Sequence, residues 1–412
     1  MTSTAGRRIL LADADAFFVA VARMVDPDGA GKTPLLIVGG SRESRGVVCS
    51  ASYETRKFGV RSAMPISRAL RLCPDAMCVP VPYKACSAKS GEIRTVLERY
   101  APIVAGASID EWYLDLTGTE GVYHNEPLAT TAHRIRDAVH RAAGLSISIG
   151  GGTNKLIAKM AAERAKPKEG TGADGVHIVP PGDEEIFLRT FTLAEIPLVG
   201  PKFQERLAAL GMITVPDVLK HDLPTLLQWM SEREAEWLWN RVHGVDSGTV
   251  ERGGVAKSIS RDETFPEDLR NDRDLDHELL SLVTRAAFDL RSDGLGARTI
   301  TVKIRDMDFR TRSARRTLEE PVVSDRVILL VARELLAKLR ATRRVPARLL
   351  GVALSSLAQD PKADQLTLFA RDTGPEAETD RDRTLARTVD RVRERFGAKG
   401  IMPAALAPSP GE

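Results

Sequence analysis

Asp13 and the adjacent pair Asp110 and Glu111 are the residues of this 412-residue chain whose type and placement could do chemistry. Asp13 closes the apolar run Ile9-Leu10-Leu11-Ala12. The pair sits between Ala107-Ser108-Ile109 and Trp112-Tyr113-Leu114. In both places an apolar, strand-like run ends in carboxylates. Burying an ionised carboxylate without a partner is costly, so acids placed this way are metal ligands or exposed turn residues rather than core. Three converging carboxylates suit Mg²⁺, which takes oxygen ligands and shares its shell with substrate phosphates. Two such ions clamp the attacking and leaving oxygens of an in-line phosphoryl transfer.

The elements around these acids decide whether they can meet. Residues 7–13 read as a buried strand, followed by a helical stretch to about Met24, with further strands at 34–38 and 46–51 and helices at 62–73 and 87–100. A hairpin pattern over 103–116 turns at the acidic pair, and a helix at 126–143, a strand at 145–149 and a helix at 153–165 follow. With residues 19–85 set aside as an insert, the order is β-ββ-α-β, a ferredoxin-like sheet whose hairpin turn lies beside the end of the first strand. Residues 180–245 hold short helices only, and Ile196-Pro197-Leu198-Val199-Gly200-Pro201-Lys202 before an amphipathic helix reads as a helix-hairpin-helix or as an ordinary tight helical turn. In the first case its backbone N–H groups would face a phosphate. Leu198 stands where such hairpins carry glycine.

Residues 246–256 are glycine-rich and polar and read as a linker. Beyond them comes β-α-β-β-α-β over 257–357. Ile300, Val302 and Ile304 alternate with Thr299, Thr301, Lys303 and Arg305, so one face meets a core and the other points outward. Residues 296–316 carry seven basic groups against two acidic ones. Read as lying on one face of adjacent strands, they form a track for a phosphate backbone. After about 357 the chain turns polar, and Gln365, Leu366, Leu368 and Phe369 form an apolar cluster with Q-L-x-L-F spacing that suits a docking peptide. Leu385, Val389, Val392 and Phe396 make a stripe on a charged helix at 381–396, read as packing on its own domain.

Four words occur in order: Asp13-Ala14-Asp15-Ala16-Phe17-Phe18, the stretch 50–60 with Ser50, Tyr53 and Arg56, the string 108–117 around Asp110-Glu111, and Ala165-Lys166-Pro167. Together they resemble the Y-family of translesion DNA polymerases, most closely the DNA polymerase IV (DinB-type) branch, over about residues 7–370. The resemblance implies an α+β multidomain, right-hand architecture. It comprises a ferredoxin-like palm (1–18 and 86–170), small fingers (19–85), a helical thumb with the helix-hairpin-helix (171–245), the linker, a little finger (257–357) and a tail (358–412). It implies DNA-templated, low-fidelity translesion synthesis, with Asp13, Asp110, Glu111 and the Ala14 carbonyl holding two Mg²⁺, Mn²⁺ being the alternative.

Ser50, Tyr53 and Arg56 fall at i, i+3 and i+6, one face if the segment is a helical turn, and hydroxyls and a guanidinium fork suit phosphate oxygens. The resemblance assigns them, with Lys166, to the triphosphate of an incoming dNTP. Phe17 reads as core or nucleotide contact. Phe18 aligns with the steric gate, where a flat ring leaves no room for a 2′-hydroxyl. Asp15, two residues after Asp13, could share its face, but the family does not use that position as a principal ligand. Trp112 replaces a residue that is small in the family, and would either reshape the active-site floor or fill the palm core. DNA contacts are expected at Gly200, Lys202, Lys257, Ser258, Arg261, Lys303, Arg305, Arg310 and Arg312, and a bacterial sliding clamp is expected at Gln365–Phe369.

Composition adds bounds. The net charge of +3 does not by itself announce nucleic acid. There is no apolar run long enough for a membrane span. Cys49, Cys73, Cys78 and Cys86 lack paired C-x-x-C spacing and read as reduced cytosolic thiols, so a cytoplasmic protein is expected, and separately a monomer. A catalytically dead scaffold would have lost the carboxylates. A nucleotide cyclase would share them but leave the hairpin, the basic module and the tail peptide unexplained.

Overall fold

Six consecutive buried residues make Ile9–Ala14 a central strand, β1, covered on both faces. The computed structural model describes residues 6–41, 45–167, 172–254, 256–359, 377–397 and 400–407, in two units that divide after Gly254. The first unit continues with α1 (Phe17–Val25), β2 (Leu36–Gly39), β3 (Val48–Ala51), α2 (Tyr53–Arg56), α3 (Ile66–Leu72), β4 (Met77–Pro80) and α4 (Tyr83–Leu97). Then come β5 (Ile103–Gly106), β6 (Glu111–Asp115), α5 (Leu128–Ala143), β7 (Ile147–Gly152), α6 (Lys155–Ala165) and β8 (Val176–Ile178). It closes with α7 (Glu184–Leu188), α8 (Pro201–Ala209), α9 (Val215–Val218), α10 (Leu223–Trp229) and α11 (Glu232–Val242).

The main sheet has the order β5-β6-β1-β7-β8, and β1 is antiparallel to both its neighbours. Alternation divides its side chains. Leu10, Ala12, Trp112 and Leu114 join a core with α4 and α5, while Ile9, Leu11 and Tyr113 pack with Ala158 and Ala162 of α6. Asn154 starts α6 by accepting from the Ile157 N–H at 3.0 Å. The helix lies very close to β7. A Cβ at Gly150 would stand 1.9 Å from the Ala162 nitrogen and 2.2 Å from the Ala158 oxygen, so only glycine permits this approach.

The insert folds as a separate three-stranded sheet, β3-β2-β4, over its own small core of Ile37, Val48, Ile66 and Ala69. The helices α7–α11 close around Leu193, Leu207, Leu226 and Leu238. Three expectations change here. β8 lies in the stretch read as thumb yet pairs parallel with β7. α4 begins at Tyr83, inside the stretch read as fingers, and packs on the main sheet. The segment read as a linker is fixed as far as Arg252: Val250 is buried against Ile9 and Leu11, Arg7 donates to the Gly248 carbonyl at 3.2 Å, and Arg252 donates to the Pro102 carbonyl at 3.0 Å.

The second unit is β9 (Ser258–Leu269), α12 (Asp272–Ser292), β10 (Leu295–Asp306), β11 (Thr311–Val322), α13 (Asp325–Thr342), β12 (Ala347–Gln359) and α14 (Asp380–Phe396). Its antiparallel sheet, ordered β11-β10-β12-β9, is covered on one face by α12 and α13, with Ile300, Val302 and Ile304 in the core as their alternation requires. The tail helix does pack on this unit, chiefly by charge; of its apolar stripe only Val389 and Val392 are half-buried. Asp390 accepts from Arg291 at 2.6 and 2.9 Å, Arg326 reaches Asp382 at 2.8 Å, and Leu385 and Phe396 are exposed. The peptide Gln365–Phe369 lies outside the described residues. Among the described residues no helix is long and apolar enough to cross a membrane.

Trp112 is 2% exposed and points into the α4–α5 core, away from the face that carries Glu111. Trp112→Ala should therefore lower unfolding stability by roughly 3–5 kcal/mol in chemical denaturation. A loss under about 1 kcal/mol would place the ring outside the core.

Candidate active site

Register brings the acids together. Asp13 at the end of β1 is the cross-strand partner of Glu111 at the start of β6, and the Ala14 N–H donates to the Asp110 carbonyl at 2.9 Å. Directly opposed residues share a face, and like charges in that position repel. The repulsion is offset from α6. Lys159 donates to both Glu111 oxygens at 2.8 and 2.7 Å, and Lys166, just past the helix, reaches Asp13 at 2.9 Å and Glu163 at 2.6 Å. Lys159 and Lys166 are seven residues apart, which places them on one side of the helix two turns apart.

Burial raises the Asp13 carboxyl to about 6; Lys166 opposes the shift and Glu111 adds to it. Burial also works against the Lys166 ammonium, but Asp13 and Glu163 outweigh it and hold the group above the ordinary lysine value. The third acid, Asp110, sits in the turn, and its carboxylate accepts from Ser108 Oγ at 2.5 Å. In this arrangement no three His, Cys, Asp or Glu side chains among the described residues stand close enough to hold one ion. The donor chemistry fits a hard divalent cation nonetheless. All three donors are carboxylates, two of them face each other, and burial of Asp13 disfavours its bare negative charge.

Asp15 is held by serine hydroxyls, one of them on Ser148, the cross-strand partner of Asp13. The chain leaves the strand at Ala14, and the Asp15 carboxylate accepts from Ser146 Oγ at 2.8 Å and Ser148 Oγ at 2.7 Å. Ala16 takes a left-handed φ of 45° and α1 begins at Phe17. Phe17 is 2% exposed in the core, and Phe18 is partly buried with its ring edge-on to Phe17, centroids 5.5 Å apart.

Tyr53 and Arg56 lie on α2, which Ser52 caps, but Ser50 precedes them on β3, so the three are not one helical face. The Arg56 guanidinium stacks on the Tyr53 ring at 5.2 Å and donates from Nε to the Ala51 carbonyl at 2.9 Å. Burial, then the Asp15 charge, push the Tyr53 hydroxyl up, with Arg56 and Lys166 opposing and Asp13 adding. The second word of the sequence thus stands beside the first and the last. Lys159 was not foreseen. The signal for it was a lysine two helical turns before Lys166, on a helix beginning next to a glycine-rich strand.

The expected DNA contacts divide. Gly200 caps α8 without a side chain, Lys202 is exposed beside it, and Leu198 adopts a left-handed φ of 73° while 80% exposed, doing the work of a glycine. Lys303 and Arg305 share the open face of the second sheet with Ser258, Ser313 and Arg315; Lys303 is paired there with Asp262. Lys257 precedes that face, and Arg310 lies in the β10–β11 turn. Arg261 and Arg312 are corrections. Period-2 alternation puts both on the helix-covered side, where Arg261 pairs with Asp289 of α12 and Arg312 reaches Asp306 at 2.9 Å and the Arg343 carbonyl at 3.2 Å.

Comparison with known proteins agrees with this arrangement. Residues 12–163 match the model of the impB/mucB/samB family, and residues 256–368 match the C-terminal domain of that family. A protein from Dehalococcoides mccartyi (strain CBDB1) described as DNA polymerase IV is 34% identical over 402 residues, 96% of each chain. One from Gluconobacter oxydans (strain 621H), described likewise, is 35% identical over 88% of this chain and 99% of its own. Among solved structures, the Y-family DNA polymerase chimera Dbh-Dpo4(243-245)-Dbh superposes with a TM-score of 0.72 at 26% identity, covering 85% of this chain and 98% of that one. An insertion ternary complex of Dbh DNA polymerase gives 0.58 at 26% identity, covering 84% and 98%.

Lys159→Met should cost the protein about 1 kcal/mol in denaturation without divalent ions, as expected for a bidentate pair that is partly exposed. Most of that loss should return in the double variant Lys159→Met/Glu111→Gln. Strictly additive losses would show that the two side chains do not interact.

Proposed function

This chain belongs to the DinB-type branch of the Y-family DNA polymerases and is a DNA-directed DNA polymerase of translesion synthesis, and from that premise we propose which of its residues do the work. Asp13, Asp110 and Glu111, with the Ala14 carbonyl, are the hard oxygen donors that hold two Mg²⁺. Divalent ions bound there supply charge neutralisation at the attacking and leaving oxygens of an in-line nucleotidyl transfer. The observation that carries this reading is the register pairing of Asp13 with Glu111 at the end of the central strands, with Lys166 against Asp13.

The remaining residues bind and orient. Ser50, Tyr53, Arg56 and Lys166 receive the triphosphate, since their hydroxyls and cations donate to phosphate oxygens. Phe17 backs Phe18, and the Phe18 ring lies against the sugar and excludes a 2′-hydroxyl. The main sheet with α4–α6 acts as palm, the three-stranded sheet as fingers, α7–α11 as thumb and β9–β12 with α12 and α13 as little finger. Gly200 and Lys202 meet primer-template DNA from the thumb; Lys257, Ser258, Lys303, Arg305 and Arg310 meet it from the open sheet face. The enzyme works in the cytoplasm, a reading supported by four unbonded cysteines, and as a monomer. Its peptide Gln365–Phe369 docks on a bacterial sliding clamp, a reading that rests on the Q-L-x-L-F spacing alone.

The test is primer extension on an undamaged template with Mg²⁺ and each dNTP in turn. Wild type should add the templated nucleotide, and Asp110→Ala should be slower by about a thousandfold or more. Near-normal extension by the variant would remove Asp110 from the metal site. Deleting 365–369 should leave basal synthesis intact and abolish stimulation by the clamp; equal stimulation without the peptide would make it an ordinary tail.

A further inference from the structure

Asp15 is tied to β7 more completely than a turn residue needs to be. Its two carboxylate oxygens each accept one serine hydroxyl, Ser146 at 2.8 Å and Ser148 at 2.7 Å, and its N–H donates to the Ser146 carbonyl at 3.0 Å. Ser148 is fully buried and is the cross-strand partner of Asp13. Arg136 steadies the same stretch, donating to the Ile147 carbonyl at 3.0 Å and to Ser146 Oγ at 3.4 Å. Both oxygens are thus engaged by neutral hydroxyls, one of them on the residue that faces Asp13 across the strands.

The next residue explains what such a tether could hold. Ala16 has φ 45° and ψ 43°, a left-handed conformation disfavoured for any residue with a Cβ, and it caps α1 with no side-chain hydrogen bond. A strained residue persists only when its surroundings over-determine it. On the far side of Ala16 the anchor is Phe17, buried in the core. On the near side it is Asp15. Phe18, the second residue of α1, takes its direction from this turn.

We propose that Asp15 is a positioning residue for sugar discrimination: held by Ser146 and Ser148, it keeps the 14–18 turn left-handed at Ala16 and thereby sets the Phe18 ring, without touching an ion or the nucleotide. This rests on the reading of Phe18 as the ring against the sugar, and a Phe18→Ala control keeps the two apart.

The experiment measures kcat/KM for a ribonucleotide and its matching deoxynucleotide on one primer-template, with the full chain. Asp15→Ala and, independently, Ser146→Ala/Ser148→Ala should each raise the ribo-to-deoxy ratio roughly tenfold. Asp15→Asn, which keeps one acceptor for a serine hydroxyl, should fall between, and Phe18→Ala should raise the ratio most. An unchanged ratio in both tether variants while Phe18→Ala raises it overturns the inference and leaves the gate standing. A loss of deoxynucleotide turnover by Asp15→Ala as deep as that of Asp110→Ala also overturns it, by making Asp15 a metal ligand. If Phe18→Ala itself leaves the ratio unchanged, the gate reading fails and the inference with it.

Discussion

Two carboxylates facing each other across the middle of a sheet are the constraint on which the first unit depends. Asp13 is 7% exposed and its neighbour in register is Glu111, so the strand ends carry a charge problem that neither strand can solve. The solution comes from α6, which must run close enough for Lys159 and Lys166 to reach both acids. That closeness in turn demands the absence of a side chain at Gly150. The glycine run of β7, the small residues of α6 and the placement of the two lysines are therefore one arrangement. Each is unremarkable in isolation, and together they decide where the acids can sit.

The second unit meets the same physics with arginine in place of lysine. Its arginines are numerous, but several serve the interior. Asp306 is completely buried and is compensated by Arg312 and Arg343, and Arg291, whose side chain is 5% exposed, joins Asp325 and Asp390. Removing one partner from such a set leaves a buried charge uncompensated, which is far costlier than the set is stabilising. A basic stretch of sequence is thus two populations, one facing outward and one holding helices and turns, and only strand alternation tells them apart.

That distinction also marks how far the sequence could be read. The strand ends, the hairpin at Asp110-Glu111, the insert and the β-α-β-β-α-β order follow from periodicity over long apolar runs. β4 and β8 carry no apolar core run to mark them: β4 is exposed at both ends and β8 is only half-buried throughout. The sidedness of Arg261 and Arg312 does not show in a count of charge along the chain; it follows from strand register with Val302 and Ile304. The tail helix was read by its apolar stripe, although Asp390 and Arg291, 99 residues apart, hold it in place. Lys159 does not stand out in the sequence because its partner Glu111 lies 48 residues away on another element. Trp112 was ambiguous until register showed which face it occupies.

Lys166 shows why the site can be both stable and reactive. It is bound to two carboxylates, Asp13 and Glu163, yet it is also the lysine assigned to the triphosphate. An ammonium that leaves a carboxylate for a phosphate exchanges one anionic partner for another, so it is never stranded without countercharge while partly buried. Its departure would strip Asp13 of its compensating charge, and burial works against a bare negative charge there. On the proposed assignment of Lys166 and Asp13, nucleotide and cation binding would be coupled through one side chain: whatever draws Lys166 toward phosphate increases the demand for positive charge at the carboxylate it leaves.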